Sequence, residues 1–341
     1  MNRFPRQAGL TLVELMVATT LSLVLLAGVL VVFSANKATY QLQNGLGALQ
    51  ENGRYAVRQI AADLQQAGYG GCLSPHLVYR EDGPPRVINI ASSPPTYLTE
   101  FQNGTFLVGR NDQAGTLTIG GVNMVPGTDS IEIRGPLRSN INMVSGPMLT
   151  TDPITIVGAA SGFATNEYLL ISDCGSATIL RAASVTAGST TTTITYSGGA
   201  LAAPYQGDAV VMEFATHTYF VGSTGRNNAS GQAITALYRW DGAGSATELV
   251  DGVENMQIEY ALDTDADGRI EQFVSAGVGI DLTQAVAVRI SLLLNSIEGA
   301  GADEVPYTYF PSGSTQISPG TGDYRLRQEF SSVVSIRNAV L

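Results

Sequence analysis

The chain has 341 residues, of which 44% are hydrophobic and 14% are charged. This composition is compatible with a globular protein that also carries a membrane helix, and the length allows one large domain or two. The 18 Lys and Arg residues against 29 Asp and Glu residues give a net charge of −11. This acidity argues against a broad nucleic-acid-binding surface, because such a surface needs basic patches to neutralise phosphates.

A long apolar segment lies close to the N-terminus. Residues 10–33 form a run of 24 with a single charge, Glu14, and as a helix they would cross a hydrocarbon core of about 30 Å. The Glu14 carboxylate either lies in the headgroup region or needs a partner, because an unpaired charge inside a membrane is costly. The segment contains no Lys, Arg or His, so such a partner would have to come from outside it.

A short polar leader precedes the apolar segment. Its basic residues, Arg3 and Arg6, predict that it stays in the cytoplasm while the C-terminal bulk is exported. A secretory signal is cleaved after its apolar region, whereas here the small residue Gly9 stands before that region. The basic leader, Gly9 and the run LTLVELMVA resemble the type IV prepilin signal, which type IV pilins and type II secretion pseudopilins share.

This resemblance implies a processing site and an assembly charge. In the family, a membrane prepilin peptidase cuts after the residue that corresponds to Gly9 and methylates the new N-terminus, here Leu10, where most members have Phe. The residue that corresponds to Glu14 pairs with the N-terminal amine of a neighbouring subunit. A buried ion pair of this kind fixes the register between chains more than it adds stability.

The apolar segment is predicted to continue into one long helix. No Pro occurs between Leu10 and Gly68, and a glycine at the end of this range allows the left-handed conformation that ends many helices. We therefore predict a helix over residues 10–67, with residues 10–33 in the membrane.

The second half of this helix has an apolar stripe and several glycines. The glycines at 45, 47 and 53 would each weaken the helix by about 1 kcal/mol relative to Ala, which predicts a bend or local melting. The stripe has spacings of three and four and predicts packing against a soluble domain. Its members are Leu42, Leu46, Leu49, Gly53, Val57, Ile60, Leu64 and Ala67.

A narrower resemblance begins in the same half of the helix. Residues 49–72, LQENGRYAVRQIAADLQQAGYGGC, resemble a segment of PilW-type minor pilins, in which an LQENxRYA run leads through an AGY turn to a Cys. Asp173-Cys174 resembles the second-cysteine region of that family, and residues 324–338 resemble its Arg-rich terminal pattern. The resemblance implies a minor pilin that takes part in pilus assembly.

Cys72 and Cys174 are the only cysteines of the chain. In an oxidising compartment they most simply form one disulfide, whose loop of about 100 residues would contribute up to about 4.7 kcal/mol in the chain-entropy model. A metal site and free thiols are the alternatives. His76 and His217 show no metal-ligand spacing, so each is interpreted as an ordinary surface or satisfied residue.

Residues 68–341 are predicted to form an exported β-rich globular domain. Short β-type runs alternate with clusters of Gly, Pro, Ser, Asn and Asp, and residues 73–200 are predicted to be a large β insertion. The fold class is α+β: the resemblance implies a pilin-like architecture, with the long helix packed on an antiparallel sheet. The predicted strands are residues 86–90, 130–134, 154–157, 168–172, 190–196, 209–221, 236–240, 256–262, 286–295 and 331–337.

An acidic run beyond residue 262 is the candidate metal site. Acids recur at alternate positions and are followed by a glycine, in the order that EF-hand-like calcium loops use. A valine stands where an EF-hand has its bidentate Glu, and predicted strands flank the run, so we predict a calcium-binding hairpin. The alternative is an acidic turn without metal, because Asp and Gly favour turns. The predicted ligands are the carboxylates of Asp263, Asp265, Asp267 and Glu271 and the backbone carbonyl of Arg269.

No catalytic motif is visible in the sequence. It lacks a Gly-x-Ser-x-Gly elbow, a metal-type His pair and a phosphate-binding Gly-Lys-Ser/Thr loop, so we predict no enzyme. The resemblance implies a minor pilin that is processed by prepilin peptidase, sits in the inner membrane with its domain in the periplasm, and then joins the pilus.

The large β domain is too bulky for a repeated major subunit, which favours a role in initiating or capping a type IV pilus together with other minor pilins. Two alternatives stay open. One is a J-type pseudopilin of type II secretion, and the other is a calcium-dependent adhesin or ligand-binding tip module.

Overall fold

A computed structural model describes residues 11–72, 87–137, 140–159, 162–265, 267–301, 303–310 and 316–338. Two α-helices occur in these residues, α1 (Leu12–Gln66) and α2 (Thr96–Gln102). The strands in chain order are β1 (Val87–Asn89), β2 (Leu107–Arg110), β3 (Thr118–Ile119), β4 (Val122–Asn123), β5 (Ser130–Gly135), β6 (Ile141–Met143), β7 (Ile154–Val157), β8 (Tyr168–Ser172), β9 (Ala177–Ala187), β10 (Thr191–Ser197), β11 (Val210–Glu213), β12 (Ala215–Asn227), β13 (Ala233–Trp240), β14 (Thr247–Asp251), β15 (Val253–Leu262), β16 (Gln272–Val274), β17 (Ala285–Asn295) and β18 (Arg327–Ser335).

Helix α1 has 55 residues and runs without interruption through Gly45, Gly47 and Gly53, where a bend or local melting was predicted. It begins after Thr11, whose side chain accepts a hydrogen bond from the backbone of Glu14. It ends at Gln66 with Ala67 as its C-terminal cap, and Gly68 follows with a φ of +67°, a left-handed conformation that favours glycine. The long-helix prediction is therefore confirmed over the described residues, and the predicted local melting is wrong.

The C-terminal half of α1 packs on the soluble domain. Leu49, Ile60 and Leu64 are buried there, as the stripe predicts. Leu42 and Leu46 are 37% and 40% exposed, so the contact with the domain is shorter than the stripe.

Gly53 has a packing role that its helix propensity does not reveal. A Cβ at Gly53 would lie 2.4 Å from the ring of Phe330 on β18, so the glycine allows the strand to approach the helix.

Two antiparallel sheets share one core with α1. The first has the order β16-β15-β17-β18, and the second has the order β14-β13-β12-β5-β2. In the first sheet, the alternating residues of β15 (Met256, Ile258, Tyr260 and Leu262) are buried, as predicted. The sheets and α1 give the predicted α+β pilin-like fold.

Strands β3 and β4 form a two-stranded sheet, and the seven-stranded sheet closes into a small barrel with its own core. Its strands follow the order β6-β11-β8-β9-β10-β7, with β1 added in parallel to β9. The first and last strands meet, because Val144 forms a bridge with Ile156 and Ser145 N donates to Thr155 O at 2.7 Å. A cluster that includes Ile154 and Tyr205 fills the interior. We call this unit, residues 140–213, the barrel.

The structure corrects two sequence predictions. Residues 209–221 were predicted as one strand but form two, because β11 belongs to the barrel and β12 to the five-stranded sheet. The chain changes sheets at Phe214, whose N–H donates to Tyr168 O at 2.8 Å. The predicted insertion over residues 73–200 is also wrong in its bounds, because β2 and β5 pair within the five-stranded sheet.

Candidate assembly helix, domain junction and acidic hairpin

The N-terminal half of α1 is a single exposed apolar surface. Within the described residues, α1 is the one helix that is long and apolar enough to cross a membrane. Its most apolar stretch makes no buried contact with the domain. These side chains are therefore free to contact lipid or other helices. The exposed ones include Leu12, Val13, Leu15, Met16, Val17, Leu21, Leu23, Val24, Leu25 and Leu26.

Glu14 forms a capping box with Thr11 at the start of α1. Glu14 N donates to Thr11 Oγ1 at 3.2 Å, and Thr11 N donates to Glu14 Oε2 at 2.9 Å. The carboxylate is thus held at the positive end of the helix dipole. Its predicted partner, the amine of another subunit, stays a prediction. Gly9 and Leu10, the predicted cleavage and methylation residues, lie outside the described residues.

A disulfide joins the region beyond α1 to the barrel. Cys72 and Cys174 are bonded, with a Cα–Cα distance of 4.6 Å and a sequence separation of 102. Ser172 Oγ donates a further hydrogen bond to Gly70 O. The predicted disulfide is confirmed, and the alternatives of free thiols or a two-cysteine metal site do not apply.

The C-terminal end of α1 is tied to two other parts of the domain. Gly68 N donates to Arg134 O on β5 at 3.0 Å, and Asn338 Nδ2 donates to Ala67 O at 3.0 Å. The Asn338 side chain satisfies a carbonyl that the helix end leaves free. The sequence assigns Asn338 to a terminal family pattern, but only the structure reveals this contact.

A buried polar cluster connects α1 to the five-stranded sheet. One oxygen of Asp63, Oδ2, accepts hydrogen bonds from His217 Nδ1 at 2.6 Å and from the Tyr219 hydroxyl at 2.5 Å. The exposed fractions of Asp63, His217 and Tyr219 are 5%, 2% and 0%. Burial, reinforced by the charge of Asp63, raises the pKa of Tyr219 well above its usual range, so the hydroxyl keeps its proton as a donor.

Sequence reasoning missed this cluster. An acid beside Leu64 at the edge of the apolar stripe is the one signal that could have indicated it. His217 was interpreted as a surface or satisfied residue, and it is buried. Its Nδ1 is satisfied, whereas its Nε2 has no hydrogen-bond partner within the described chain and lies 3.7 Å from Asp241 Oδ1. His76 lies outside the described residues.

The acidic run forms a hairpin between β15 and β16, as predicted. Leu262 pairs with Gln272 in the antiparallel ladder. Asp263, Asp265, Asp267 and Glu271 each offer a carboxylate oxygen, and these oxygens lie within 4.8 Å of one another. Such a group of carboxylates could hold a metal ion. Arg269, the remaining predicted ligand, has its side-chain Nε 3.9 Å from Asp267 Oδ2.

Backbone N–H groups already engage several of these carboxylates. Asp263 accepts hydrogen bonds from the N–H groups of Asp267 and Gly268, at 3.1 and 2.9 Å. Glu271 Oε2 accepts one from Thr264 N at 2.7 Å. These bonds fold the loop so that the acids converge.

The N-terminal helix, with its capped Glu14 and its packing on an antiparallel sheet, is the arrangement of type IV pilin-like proteins. A family model described as the prokaryotic N-terminal methylation motif matches residues 4–30. A second, described as type IV pilus-assembly protein W (PilW), matches residues 218–338. The two matches support a type IV pilus minor pilin of the PilW family. Comparison with curated proteins finds no match.

These matches indicate the general role of the chain. It is a structural pilus component that is anchored in the inner membrane, with a periplasmic domain that becomes part of the pilus. It interacts with other pilus components and with the prepilin peptidase. The PilW match runs from β12 to just beyond β18, so the barrel lies outside both matched ranges.

Proposed function

We propose that this PilW-family pilin helps to initiate or cap the type IV pilus, with its exported domain at the tip and other minor pilins as its partners. The observation that carries the proposal is where the barrel is attached. The Cys72–Cys174 disulfide fixes it just beyond the end of α1. With 55 residues, α1 is about 80 Å long, so the attachment lies at the end of the helix away from the membrane.

A barrel at that end is easiest to accommodate in a terminal subunit. Subunits anchored in a membrane enter a filament from below, so an earlier subunit occupies the space above each repeated one. The barrel adds a closed sheet with its own core at this place. A subunit with this module fits best in the first position, above which there is no other subunit.

Labelling of intact pili tests this position. An epitope inserted at Ser189, in the exposed connection between β9 and β10 of the barrel, would be detected by immunogold electron microscopy, with the major subunit labelled as a control. We expect gold at one end of each filament for the barrel epitope and along the whole length for the control. Barrel labels spread along the length would contradict the tip position.

We also propose that processing divides the chain after Gly9. The mature protein would then consist of the helix over residues 10–67, with residues 10–33 in the membrane, and the exported domain over residues 68–341. The match to the N-terminal methylation motif supports this division. Methylated Leu10 would be the new N-terminus, and its amine would pair with Glu14 of a neighbouring subunit.

Intact-mass measurement tests the processing. We expect the chain to lack residues 1–9 and to carry one added methyl group in cells with active prepilin peptidase, and to keep the leader in cells without it. Retention of the leader in both strains would show that cleavage does not occur at this site.

A calcium-dependent adhesin or ligand-binding tip module is the second candidate function, and the acidic hairpin favours it. Four carboxylates converge there, and a divalent cation would relieve their mutual repulsion. Calorimetric titration of the full-length protein in detergent should give binding heat with Ca²⁺. The variant Asp265→Asn should weaken it, whereas Asp281→Asn, outside the hairpin, should not. No heat, together with no change in melting temperature on chelation, would exclude the site.

A further inference from the structure

Strand β18 has one paired edge and one free edge. Its nine residues pair in unbroken antiparallel register with β17, from Ala287 opposite Ser335 to Asn295 opposite Arg327. No strand within the described residues pairs with its other side, and β18 is the last strand of its sheet. An unpaired row of N–H and C=O groups is a template for another strand.

The register shows which backbone groups point outward. Ile336 N donates to Val286 O, and Ser296 N donates to Leu326 O, so the even-numbered residues of β18 direct their backbone groups toward β17. In an antiparallel ladder the alternate residues point the other way. The N–H and C=O groups of Ser331, Val333 and Ser335 therefore face the free edge, and all three residues are exposed.

Arg327 and Glu329 put charges on the first part of this edge, but its second part lacks the usual protection against strand pairing. Residues 330–335, FSSVVS, contain no charge, proline or glycine, and Val333 is 52% exposed. Natural edges are commonly blunted by short length, charges or bulges.

The other sheet edges in the described part of the chain are protected in these ways. Strand β16 has only three residues, and β2 has four and ends in Arg110. Strand β14 carries Glu248 and Asp251 and has an irregular register. The barrel closes on itself, which leaves no open edge of comparable length there.

The free edge of β18 runs along α1. A Cβ at Gly45 would lie 3.5 Å from Leu326, and one at Gly53 would lie 2.4 Å from Phe330. Eight helical residues span about 12 Å, and four strand residues span about 13 Å. Strand β18 therefore runs parallel to α1, in the same direction. A subunit whose helix lies beside α1 would meet this edge lengthwise.

We propose that the free edge of β18 receives an extended strand from a different subunit of the pilus. Antiparallel pairing of β18 with β18 of a second copy would need a two-fold axis perpendicular to the sheet. That axis would reverse α1, whereas both copies are anchored in the same membrane in the same direction. The proposed tip position leaves one copy of this chain in each pilus, so, resting on that proposal, the partner is a different subunit, and it supplies the backbone of an uncharged extended segment.

The proposal goes beyond the tip position, since it concerns how this chain is joined to its neighbour. The added strand would satisfy the outward N–H and C=O groups of β18 and cover Val333. Main-chain pairing of this kind gives affinity with little dependence on side-chain identity, and the flanking side chains then set specificity.

Site-specific photo-crosslinking in piliated cells tests the contact. A benzoylphenylalanine at Val333 should crosslink to another pilus subunit, identified by mass spectrometry. The same probe at Val157, which is similarly exposed at 58% on the barrel strand β7, should not give that product. A crosslink from position 333 to a second copy of this chain, or to no pilus subunit, would overturn the proposal.

Backbone variants separate strand pairing from folding. Val333→Pro removes one outward N–H and leaves the bonds to β17 in place, whereas Val333→Ala keeps that N–H. Both should retain a melting temperature within a few degrees of the wild type. We expect the proline variant to lower pilus number at least tenfold and the alanine variant to leave it unchanged.

A lysine variant covers the case in which the proline variant fails to fold. Val333→Lys keeps the N–H but places a charge on the edge, and it should likewise lower pilus number. Normal piliation of a folded proline or lysine variant would refute strand addition. The proposed initiating role would survive that result, because it is tested by deletion of the whole chain.

Discussion

The Asp63 carboxylate forms a buried polar link between α1 and the five-stranded sheet, and its removal should strongly destabilise the domain. In Asp63→Ala, the His217 N–H and the Tyr219 hydroxyl would lose their common acceptor while remaining buried. Each buried donor without a partner costs about 1–3 kcal/mol. With two such donors, we expect the free energy of unfolding to fall by about 2–6 kcal/mol, a large share of the 5–15 kcal/mol of an ordinary domain.

Two further variants define where this effect comes from. Tyr219→Phe removes one donor and leaves the pair of Asp63 and His217 intact, so it should cost only about 1–2 kcal/mol. Glu51→Ala removes an acid from the exposed face of the same helix, and its effect should stay within about 0.5 kcal/mol.

Denaturant unfolding of the full-length protein in detergent provides the assay. Trp240 is the only tryptophan, and it lies on β13 of the sheet that binds Asp63, so its fluorescence reports on the relevant unit. The double variant of Asp63→Ala and Tyr219→Phe should cost less than the sum of the two single changes. A loss below about 1 kcal/mol for Asp63→Ala, or strict additivity with Tyr219→Phe, would refute this reasoning.

Three other changes test the packing, the electrostatics and the junction. Gly53→Ala should destabilise the domain by about 1–3 kcal/mol, although alanine favours helix, because its Cβ would meet the Phe330 ring at 2.4 Å. Gly47→Ala, with no atom within 4 Å of its Cβ, should instead stabilise by up to about 1 kcal/mol, and equal effects in denaturant unfolding would contradict the packing role of Gly53. Burial raises the pKa of Asp129 to about 6, so the folded state binds a proton that the unfolded state has released, and stability should fall from pH 4 to pH 7 by up to about 3 kcal/mol relative to Asp129→Asn. Parallel pH profiles of thermal unfolding for the two proteins would exclude this assignment. Replacement of both Cys72 and Cys174 by Ser should lower stability by up to about 4.7 kcal/mol, and a reducing agent should have the same effect on the wild type but none on the variant.

The sequence pattern predicted those helices and strands that bury one face, because burial of one face makes apolar residues recur at a regular spacing. The alternation of β15 and the apolar spacing of α1 are visible in the sequence because each repeats over several turns or residue pairs. The disulfide was predicted because only two cysteines exist and the domain is exported. These features depend on short-range pattern or on simple counting.

Contacts between residues far apart in sequence could not be predicted from the local sequence patterns. No turn signal separates β11 from β12, since the chain passes between two buried sheets through Phe214. The partners of Asp63 lie 154 and 156 residues away in sequence, so only the assembled sheet brings them to the helix. For Gly53, the sequence predicted only a weakening of the helix. Its spatial neighbour Phe330 lies on β18, at the other end of the chain, so the packing role of the glycine was not visible.

The initiating role is tested most directly by pilus counts in a strain that lacks this chain. The account predicts that deletion abolishes surface pili and that the wild-type gene restores them, whereas a Glu14→Ala gene does not. Normal numbers of pili on the deletion strain, with only adhesion lost, would contradict a role in initiation and would favour a tip-binding module.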